Sequence, residues 1–251
     1  MAADDTRITT DRFDALLFDL DGVLTKTAKV HAAAWKEAFD QFLSARAEST
    51  GEPFQPFDAA ADYAQYVDGK PRYDGVRDFL ASRGVTLPEG DPTDPPGNDT
   101  VCAVGNRKND LVLEKLDSDG IETYDGSVAL LRWAHGAGMA TAVVSSSRNC
   151  QAVIEAAGIA DLFDARVDGV VAAERGLAGK PAPDTFLEAA RELGVPPERA
   201  VVFEDALAGV EAGRAGAFGL VVGADRKGDP DGLRSHGADI AVTDLSTLIP
   251  S

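Results

Sequence analysis

The chain has 251 residues, of which 44% are hydrophobic and 26% are charged, as in an ordinary globular protein with room for one large domain or for a core domain carrying an insertion. Its 42 acidic and 24 basic side chains give a formal net charge of −18, a field that repels nucleic acids and anionic membranes. We therefore expect no nucleic-acid partner and no membrane association. The two cysteines are too few for a disulfide framework, which favours a cytoplasmic location.

Five short apolar runs alternate with helical patterns along the chain. Continuous apolar strands separated by helices are typical of a parallel sheet covered on both faces, so they predict an α/β core. The predicted strands are residues 15–18, 140–144, 200–203, 219–222 and 239–242. The predicted helices of this core are residues 150–157, 184–193 and 207–214.

Residues 27–121 interrupt this alternation. They begin with an aromatic stripe at helical spacing and continue into polar, Pro/Gly-rich sequence. The segment 87–100 has four prolines and no periodicity, which predicts an exposed loop. We predict a core domain of residues 1–26 and 122–251, with a mostly helical domain of residues 27–121 inserted after the first strand.

Two carboxylates follow the first predicted strand. Asp19 and Asp21 are separated by one residue and are followed by Gly22, where a tight turn is easy. In an open parallel sheet ligands bind beyond the carboxyl ends of the strands, so both acids are expected at a ligand site. Two acids so close repel each other unless a cation or a proton intervenes. The alternative is that they only shape the turn, since Asp and Gly are ordinary turn residues.

The other strand ends carry complementary side chains. Ser145 opens a run of three serines after the second strand, where hydroxyls and backbone N–H groups can hold an anion. Lys180, a scarce cation in an acidic chain, stands just before a helix of the core, and Glu204 and Asp205 follow the third strand. Carboxylates, a cation and an anion site at strand ends are the parts that Mg²⁺-assisted phosphoryl transfer needs.

The order of these motifs resembles the haloacid dehalogenase superfamily over nearly the whole chain, from about Phe13 to Gly223. Within that superfamily, the inserted segment resembles the helical cap of the β-phosphoglucomutase group. Four short segments carry the closer resemblance, namely residues 27–35, 68–72, 106–110 and 145–149. The resemblance implies a Rossmannoid three-layer α/β/α core with a parallel sheet, plus an inserted helical cap domain.

The resemblance also implies a reaction, the interconversion of β-D-glucose 1-phosphate and glucose 6-phosphate with glucose 1,6-bisphosphate as intermediate and primer. Asp19 would be the nucleophile that becomes an aspartyl phosphate, and Asp21 the general acid/base. Lys180 and the Ser145 hydroxyl would stabilise charge on the transferred phosphoryl group. Mg²⁺ is expected at a site formed by four acidic residues, Asp19, Asp21, Glu204 and Asp205, with Asp21 contributing its backbone carbonyl.

Ten further residues are assigned by the resemblance to binding of the sugar phosphate. They are Thr27, His31, Trp35, Gly69, Arg72, Lys108, Ser146, Ser147, Arg148 and Asn149. Lys26 and Asp68 depart from the residues common in the group, and the loop 87–100 has no clear counterpart in its shorter members. These departures leave the identity of the sugar open. We expect a monomer whose partner is a small-molecule sugar phosphate.

Two other functions fit the same motifs. A Mg²⁺-dependent sugar-phosphate phosphatase would let water attack the aspartyl phosphate, whereas a mutase must exclude water and present a second sugar hydroxyl. A non-catalytic module that binds phosphate or a partner is the third possibility. Turnover separates them, because only a mutase converts one glucose phosphate into the other.

Overall fold

The computed structural model describes residues 8–250. The chain divides into two compact units, which we call unit 1 (Met1–Lys26 and Ile121–Ser251) and unit 2 (Thr27–Gly120). The second boundary lies one residue before the predicted one. Among the described residues, no helix is long and apolar enough to cross a membrane.

Unit 1 contains a parallel sheet of six strands in the order β3-β2-β1-β4-β5-β6. The strands are β1 (Ala15–Phe18), β2 (Ala140–Val144), β3 (Ala165–Val167), β4 (Ala200–Glu204), β5 (Leu220–Ala224) and β6 (Ile240–Val242). Phe18 of β1 is in register with Val143 of β2 and with Phe203 of β4. The strand order reverses between β1 and β4, and open α/β sheets bind their ligands beyond the strand ends at such a point.

The parallel α/β core is confirmed, and it contains one strand that was not predicted. Strand β3 is three residues long, lies at the edge of the sheet, and includes the half-buried Arg166. So short and mixed a segment shows neither a continuous apolar run nor an alternation, and only its pairing with β2 makes it a strand. The other five strands are confirmed, with ends shifted by at most two residues.

Nine α-helices form in the described part of the chain. They are α1 (Ala28–Thr50), α2 (Arg72–Ser82), α3 (Val101–Asp119), α4 (Asp125–Gly136), α5 (Cys150–Ala156), α6 (Gly169–Arg175), α7 (Asp184–Leu193), α8 (Leu207–Ala215) and α9 (Pro230–Ser235). Short helical turns occur at Tyr63–Val67, Ala160–Leu162, Pro197–Arg199 and Leu245–Leu248. Helix α7 buries Phe186, Ala189 and Ala190, and Gly194, which follows its last residue in the left-handed conformation (φ 68°), accounts for its predicted C-terminal end.

Unit 2 has an aromatic core of its own. The Phe39 ring of α1 lies 4.2 Å from the Phe79 ring of α2, 5.2 Å from the Phe57 ring and 4.9 Å from the Trp35 ring, measured between centroids. Each fully buried Phe contributes about 1.5–3 kcal/mol of transfer free energy. Residues 87–100 join α2 to α3 without a helix or a strand, as predicted.

Candidate active site

Asp19 stands at the point where the strand order reverses. It directly follows β1, and its N–H donates a 3.0 Å hydrogen bond to the carbonyl of Phe203 in β4. One residue earlier, the Phe18 and Phe203 rings stack with centroids 4.5 Å apart. The strands therefore hold the Asp19 backbone in place, and its side chain is only 9% exposed.

The Lys180 ammonium ties three strand ends together. Its Nζ donates to Oδ1 of Asp19 at 2.6 Å, to Oε1 of Glu204 at 2.5 Å and to the carbonyl of Val144 at 3.2 Å. These acceptors lie at the ends of β1, β4 and β2, and three bonds use the full donor capacity of a lysine. The ammonium also lies 4.8 Å from the centre of the Phe186 ring of α7. One buried cation thereby fixes the position of the Asp19 carboxylate.

Burial is the largest electrostatic effect on this cluster. It raises the pKa of Asp19 well above its usual range, opposed by the Lys180 ammonium and reinforced by the charges of Glu204 and Asp21. Burial lowers the pKa of Lys180, but the carboxylates of Asp19 and Glu204 outweigh that effect and the net pKa is raised. Lys180 is therefore protonated at neutral pH. A cation at these carboxylates would favour the ionised, nucleophilic form of Asp19.

Three buried carboxylates could hold a metal ion. Asp19, Glu204 and Asp205 each offer an oxygen atom, and these atoms lie within 4.8 Å of one another. With Lys180 they leave a formal excess of two negative charges in a buried cluster, which a divalent cation would neutralise. Carboxylate oxygens are the ligands that Mg²⁺ and Ca²⁺ prefer, so the residues fit a divalent metal ion. Glu204 has a second task, because its Oε2 accepts the N–H of Ala206 at 3.0 Å.

The turn after Asp19 requires a glycine. Gly22 has φ +95°, and a Cβ atom there would collide with the carboxylate of Asp205. The Gly22 N–H donates to the Thr25 carbonyl at 2.8 Å, and Thr25 Oγ1 donates to the Leu20 carbonyl at 3.1 Å. Asp21 is half-buried in this closed turn. Among the described residues, the group of three carboxylates that could hold a metal ion does not include the Asp21 carboxylate. The predicted metal ligand of Asp21 is accordingly its backbone carbonyl.

Arg226 supports the same turn and was not selected from the sequence. Its guanidinium donates to the carbonyls of Gly22 (2.9 Å), Val23 (3.3 Å) and Thr243 (2.5 Å), and it lies 3.8 Å from the centre of the Tyr124 ring. Because most of these partners are backbone atoms, no side-chain motif indicates the role. The available signal was the position of Arg226 just beyond the carboxyl end of β5.

The serine-rich loop follows β2. The Ser147 N–H donates to Ser145 Oγ at 3.1 Å, and the Asn149 N–H donates to Ser147 Oγ at 3.1 Å, so the loop forms two successive hydroxyl-closed turns before α5. Ser145 is buried, and its N–H bonds to the Val167 carbonyl of β3. Ser146 and Arg148 lie in the same loop. Binding of a phosphate by these five residues stays a prediction.

Three of the residues predicted in unit 2 form one group. His31 Nδ1 lies 2.9 Å from Lys108 Nζ, and Lys108 Nζ lies 4.9 Å from the centre of the Trp35 ring. The indole is 3% exposed and packs on Phe39, so within unit 2 it supports Lys108. Direct contact of Trp35 with a substrate stays a prediction. Thr27 immediately precedes α1, on which His31 and Trp35 lie.

Arg72 is the first residue of α2. Gly69, in the turn before it, has φ +71°, a conformation that L side chains rarely adopt. The Arg72 Nη1 donates to Asn106 Oδ1 of α3 at 3.1 Å. Asp68 is buried at the end of the preceding turn, where its N–H bonds to the Tyr63 carbonyl at 3.0 Å.

The protein-family model of the haloacid dehalogenase-like hydrolases matches residues 13–216 of the sequence. This span includes Asp19, Lys180, Glu204 and Asp205. The chain belongs to this family. The predicted superfamily and fold are thereby confirmed, and the acidic cluster of this haloacid dehalogenase-like protein is consistent with a divalent metal ion.

Proteins similar to this family member include a mutase and a phosphatase. It is 54% identical over 242 residues to a beta-phosphoglucomutase of Mycobacterium bovis, covering 95% of this chain and 92% of the relative. It is 31% identical over 211 residues to the fructose-1-phosphate phosphatase YqaB of Escherichia coli, covering 84% and 96%. A crystal structure of a beta-phosphoglucomutase from Clostridium difficile has the same fold, with a TM-score of 0.72, 24% identity and coverage of 94% and 93%.

Proposed function

We propose that this haloacid dehalogenase-like enzyme is a β-phosphoglucomutase that interconverts β-D-glucose 1-phosphate and glucose 6-phosphate. The observation that carries the proposal is the contact of Asp19 Oδ1 with Lys180 Nζ at 2.6 Å inside a buried group of three carboxylates. It orients one carboxylate as a nucleophile beside a fixed positive charge. The 54% identity with the Mycobacterium bovis beta-phosphoglucomutase supports the choice of substrate.

Asp19 attacks a phosphate and becomes an aspartyl phosphate, which divides the transfer into two displacements. Lys180 and the Ser145 hydroxyl stabilise the negative charge that develops on the transferred oxygens, and each such contact contributes about 2–4 kcal/mol in related chemistry. Asp21 donates a proton to the departing sugar oxygen and takes one from the attacking hydroxyl. Glucose 1,6-bisphosphate is the intermediate and the primer, because one of its phosphates recharges Asp19.

A divalent metal ion, which we propose is Mg²⁺, would be held by the carboxylates of Asp19 and Asp205 with the backbone carbonyl of Asp21. When bound it supplies positive charge that lets an anionic carboxylate approach an anionic phosphate. Glu204 orients Lys180, since one of its oxygens accepts from that ammonium and the other from the Ala206 N–H.

A mutase must also hold the phosphate that is not transferred. We assign that task to the cationic and polar side chains of Arg72, Lys108, Ser147, Arg148 and Asn149. Thr27, His31, Gly69 and Ser146 belong, in the same proposal, to the wider set that the β-phosphoglucomutase resemblance selects for binding the sugar phosphate. Arg72 is the principal anchor, because a guanidinium can bind a phosphate through two parallel hydrogen bonds. His31 Nδ1 lies 2.9 Å from Lys108 Nζ, and since an ammonium can only donate, this contact pairs the lysine with the ring nitrogen as acceptor. A cytoplasmic location and a monomeric state stay predictions.

The experiment is an assay of β-D-glucose 1-phosphate with Mg²⁺, with and without bisphosphate primer. We expect glucose 6-phosphate, dependent on primer and on the β anomer, and no turnover by Asp19→Asn. Formation of inorganic phosphate with no glucose 6-phosphate would establish the phosphatase alternative instead, which the similarity to the Escherichia coli fructose-1-phosphate phosphatase favours. No turnover of any phosphate ester by the unaltered protein would leave the non-catalytic binding module.

A further inference from the structure

The loop 87–100 that joins α2 to α3 has a fixed shape. Its Pro88 and Glu89 carbonyls accept the N–H groups of Val101 and Cys102 at 3.0 Å each. Farther along, Thr100 Oγ1 donates to Asp94 Oδ2 at 2.7 Å, and the Gly97 N–H donates to the Ala103 carbonyl at 3.1 Å. The loop is therefore folded back on the start of α3. Nothing in the proposed reaction uses it.

Asn106 of α3 connects this loop to Arg72. Its Nδ2 donates to the carbonyls of Pro92 at 3.1 Å and Asp94 at 2.8 Å. Its Oδ1 accepts from Arg72 Nη1 at 3.1 Å and from the Tyr73 hydroxyl at 2.9 Å. A carboxamide has two donor hydrogens and two acceptor lone pairs, so these four bonds use all of them. They also fix which side of the amide faces Arg72.

The backbone of α3 comes unusually close to Arg72 at the preceding residue. A Cβ atom on Gly105 would lie 3.1 Å from Arg72 Cδ and 2.8 Å from the Tyr73 ring. The absence of that atom lets the stem of Arg72 pack against the helix, and the guanidinium carbon lies 5.6 Å from the centre of the Tyr73 ring. Gly105 and Asn106 together give the Arg72 side chain a defined direction.

We propose that Asn106 is a positioning residue that orients Arg72 toward the phosphate that is not transferred, with the loop 87–100 as its support. This inference rests on the role given to Arg72 in the proposed function. A long, flexible arginine loses much rotamer freedom when it binds a ligand, and holding it beforehand reduces that loss. The contact is with a neutral amide, so it directs Nη1 without adding a negative charge that competes with phosphate.

The test measures equilibrium binding of glucose 1,6-bisphosphate to the Asp19→Asn protein, which needs no turnover. We expect Asn106→Ala to raise the Kd about tenfold, the effect typical of one lost hydrogen bond to a charged group. Asn106→Asp is nearly the same size but lacks the two donors and adds a charge beside Arg72, so it should weaken binding at least as much. Asn98→Ala is the matched control: it removes a loop contact, to Arg107 at 2.6 Å, that does not reach Arg72.

A second readout separates positioning from a general structural role. Hydrolysis of acetyl phosphate needs the Asp19 cluster but no second phosphate site, so Asn106→Ala should leave its kcat and KM within about twofold of the wild-type values, and it should raise KM for the bisphosphate primer. In an Arg72→Ala background, Asn106→Ala should have no further effect on bisphosphate binding, because it acts through Arg72.

Three results would overturn the inference. They are an unchanged Kd in Asn106→Ala while Arg72→Ala weakens binding, additive effects of the two substitutions, and an equal loss of acetyl phosphate turnover. Absence of glucose 6-phosphate formation by the wild-type protein would refute the mutase proposal alone, since the binding experiment still tests Asn106. An Asp19→Asn protein that does not bind the bisphosphate would refute both.

Discussion

Gly209 of α8 offers a way to disturb the catalytic cluster without removing any of its functional groups. A Cβ atom added at this position would lie 2.6 Å from Cγ of Glu204 and closer still to its carboxylate. Glu204 is fully buried, and its two oxygens are bound to Lys180 at 2.5 Å and to the Ala206 N–H at 3.0 Å. The carboxylate carbon Cδ would lie only 2.0 Å from the added atom, so it would have to move by about 1.4 Å to reach an ordinary contact of 3.4 Å, which lengthens both bonds.

We expect Gly209→Ala to destabilise unit 1 by about 2–4 kcal/mol. Overpacking a core costs about 1–3 kcal/mol, and displacing one partner of a buried ion pair adds to that, up to the 3–5 kcal/mol of its full loss. The higher helix propensity of alanine than of glycine offsets about 1 kcal/mol of this destabilisation. A change of this size lowers the melting temperature of a domain of about 150 residues by roughly 5–15 °C.

The assay is thermal unfolding by circular dichroism in EDTA, so that metal binding does not offset the loss. The matched control is Gly136→Ala, the same substitution at the exposed end of α4, where a Cβ atom meets nothing within 4 Å. It should leave stability unchanged or raise it by up to about 1 kcal/mol. We also expect kcat to fall at least about tenfold in Gly209→Ala only, because Lys180 loses its fixed position. Unfolding of Gly209→Ala at or above the wild-type temperature, with full activity, would refute the reasoning.

Three further predictions concern side chains outside the three-carboxylate group. Burial raises the pKa of both Cys150 and Cys102, so neither thiol should react with a thiol reagent at pH 8 until the protein is unfolded; rapid native labelling would contradict this. Hydrogen bonding to Arg191 lowers the pKa of Glu188 to about 2, below the ordinary 4.5. The ionised Glu188 carboxylate therefore stabilises the folded protein fully above about pH 4.5, and this stabilisation is lost as pH falls through 2. Urea unfolding should show Glu188→Gln less stable than wild type by up to about 1 kcal/mol at pH 7 and equally stable near pH 1.5. Arg226→Met should lower stability by about 1–3 kcal/mol, because the carbonyls of the Asp19 turn lose a charged donor; an unchanged melting temperature would show that the turn holds without it.

The elements that sequence predicted best are those with their own local signals. Strands β1 and β2 end where their apolar runs end, and α7 occupies the predicted residues because apolar residues at helical spacing are followed by Gly194. Strand β3 lacked such a signal, since three residues with an arginine at the centre show no periodicity. Local pattern predicts an element only where the element is long enough to repeat it.

The sequence indicated the acidic part of the core site because its carboxylates lie at strand ends. Asp19 and Glu204 are far apart in the chain, but parallel strands end at one edge of the sheet, and this rule predicts their proximity. Lys180 lies between α6 and α7, so its contacts with both carboxylates follow from the tertiary structure. Arg226 and Asn106 could not be predicted in this way. Their partners are mainly backbone carbonyls and loop atoms, whose positions do not depend on residue type.

By itself the sequence determined that the chain would form a parallel α/β core with an inserted segment, which acids and serines stand at the strand ends, and which lysine precedes a helix of the core. Local propensity and apolar periodicity act over a few neighbouring residues, so the elements that depend on them can be predicted from the sequence alone. Only the tertiary structure decided that a single Lys180 joins the ends of β1, β2 and β4, that Gly209 leaves room for Glu204, and that Asn106 links the loop 87–100 to Arg72. Those contacts depend on the distances between elements, which are set by how the whole core packs.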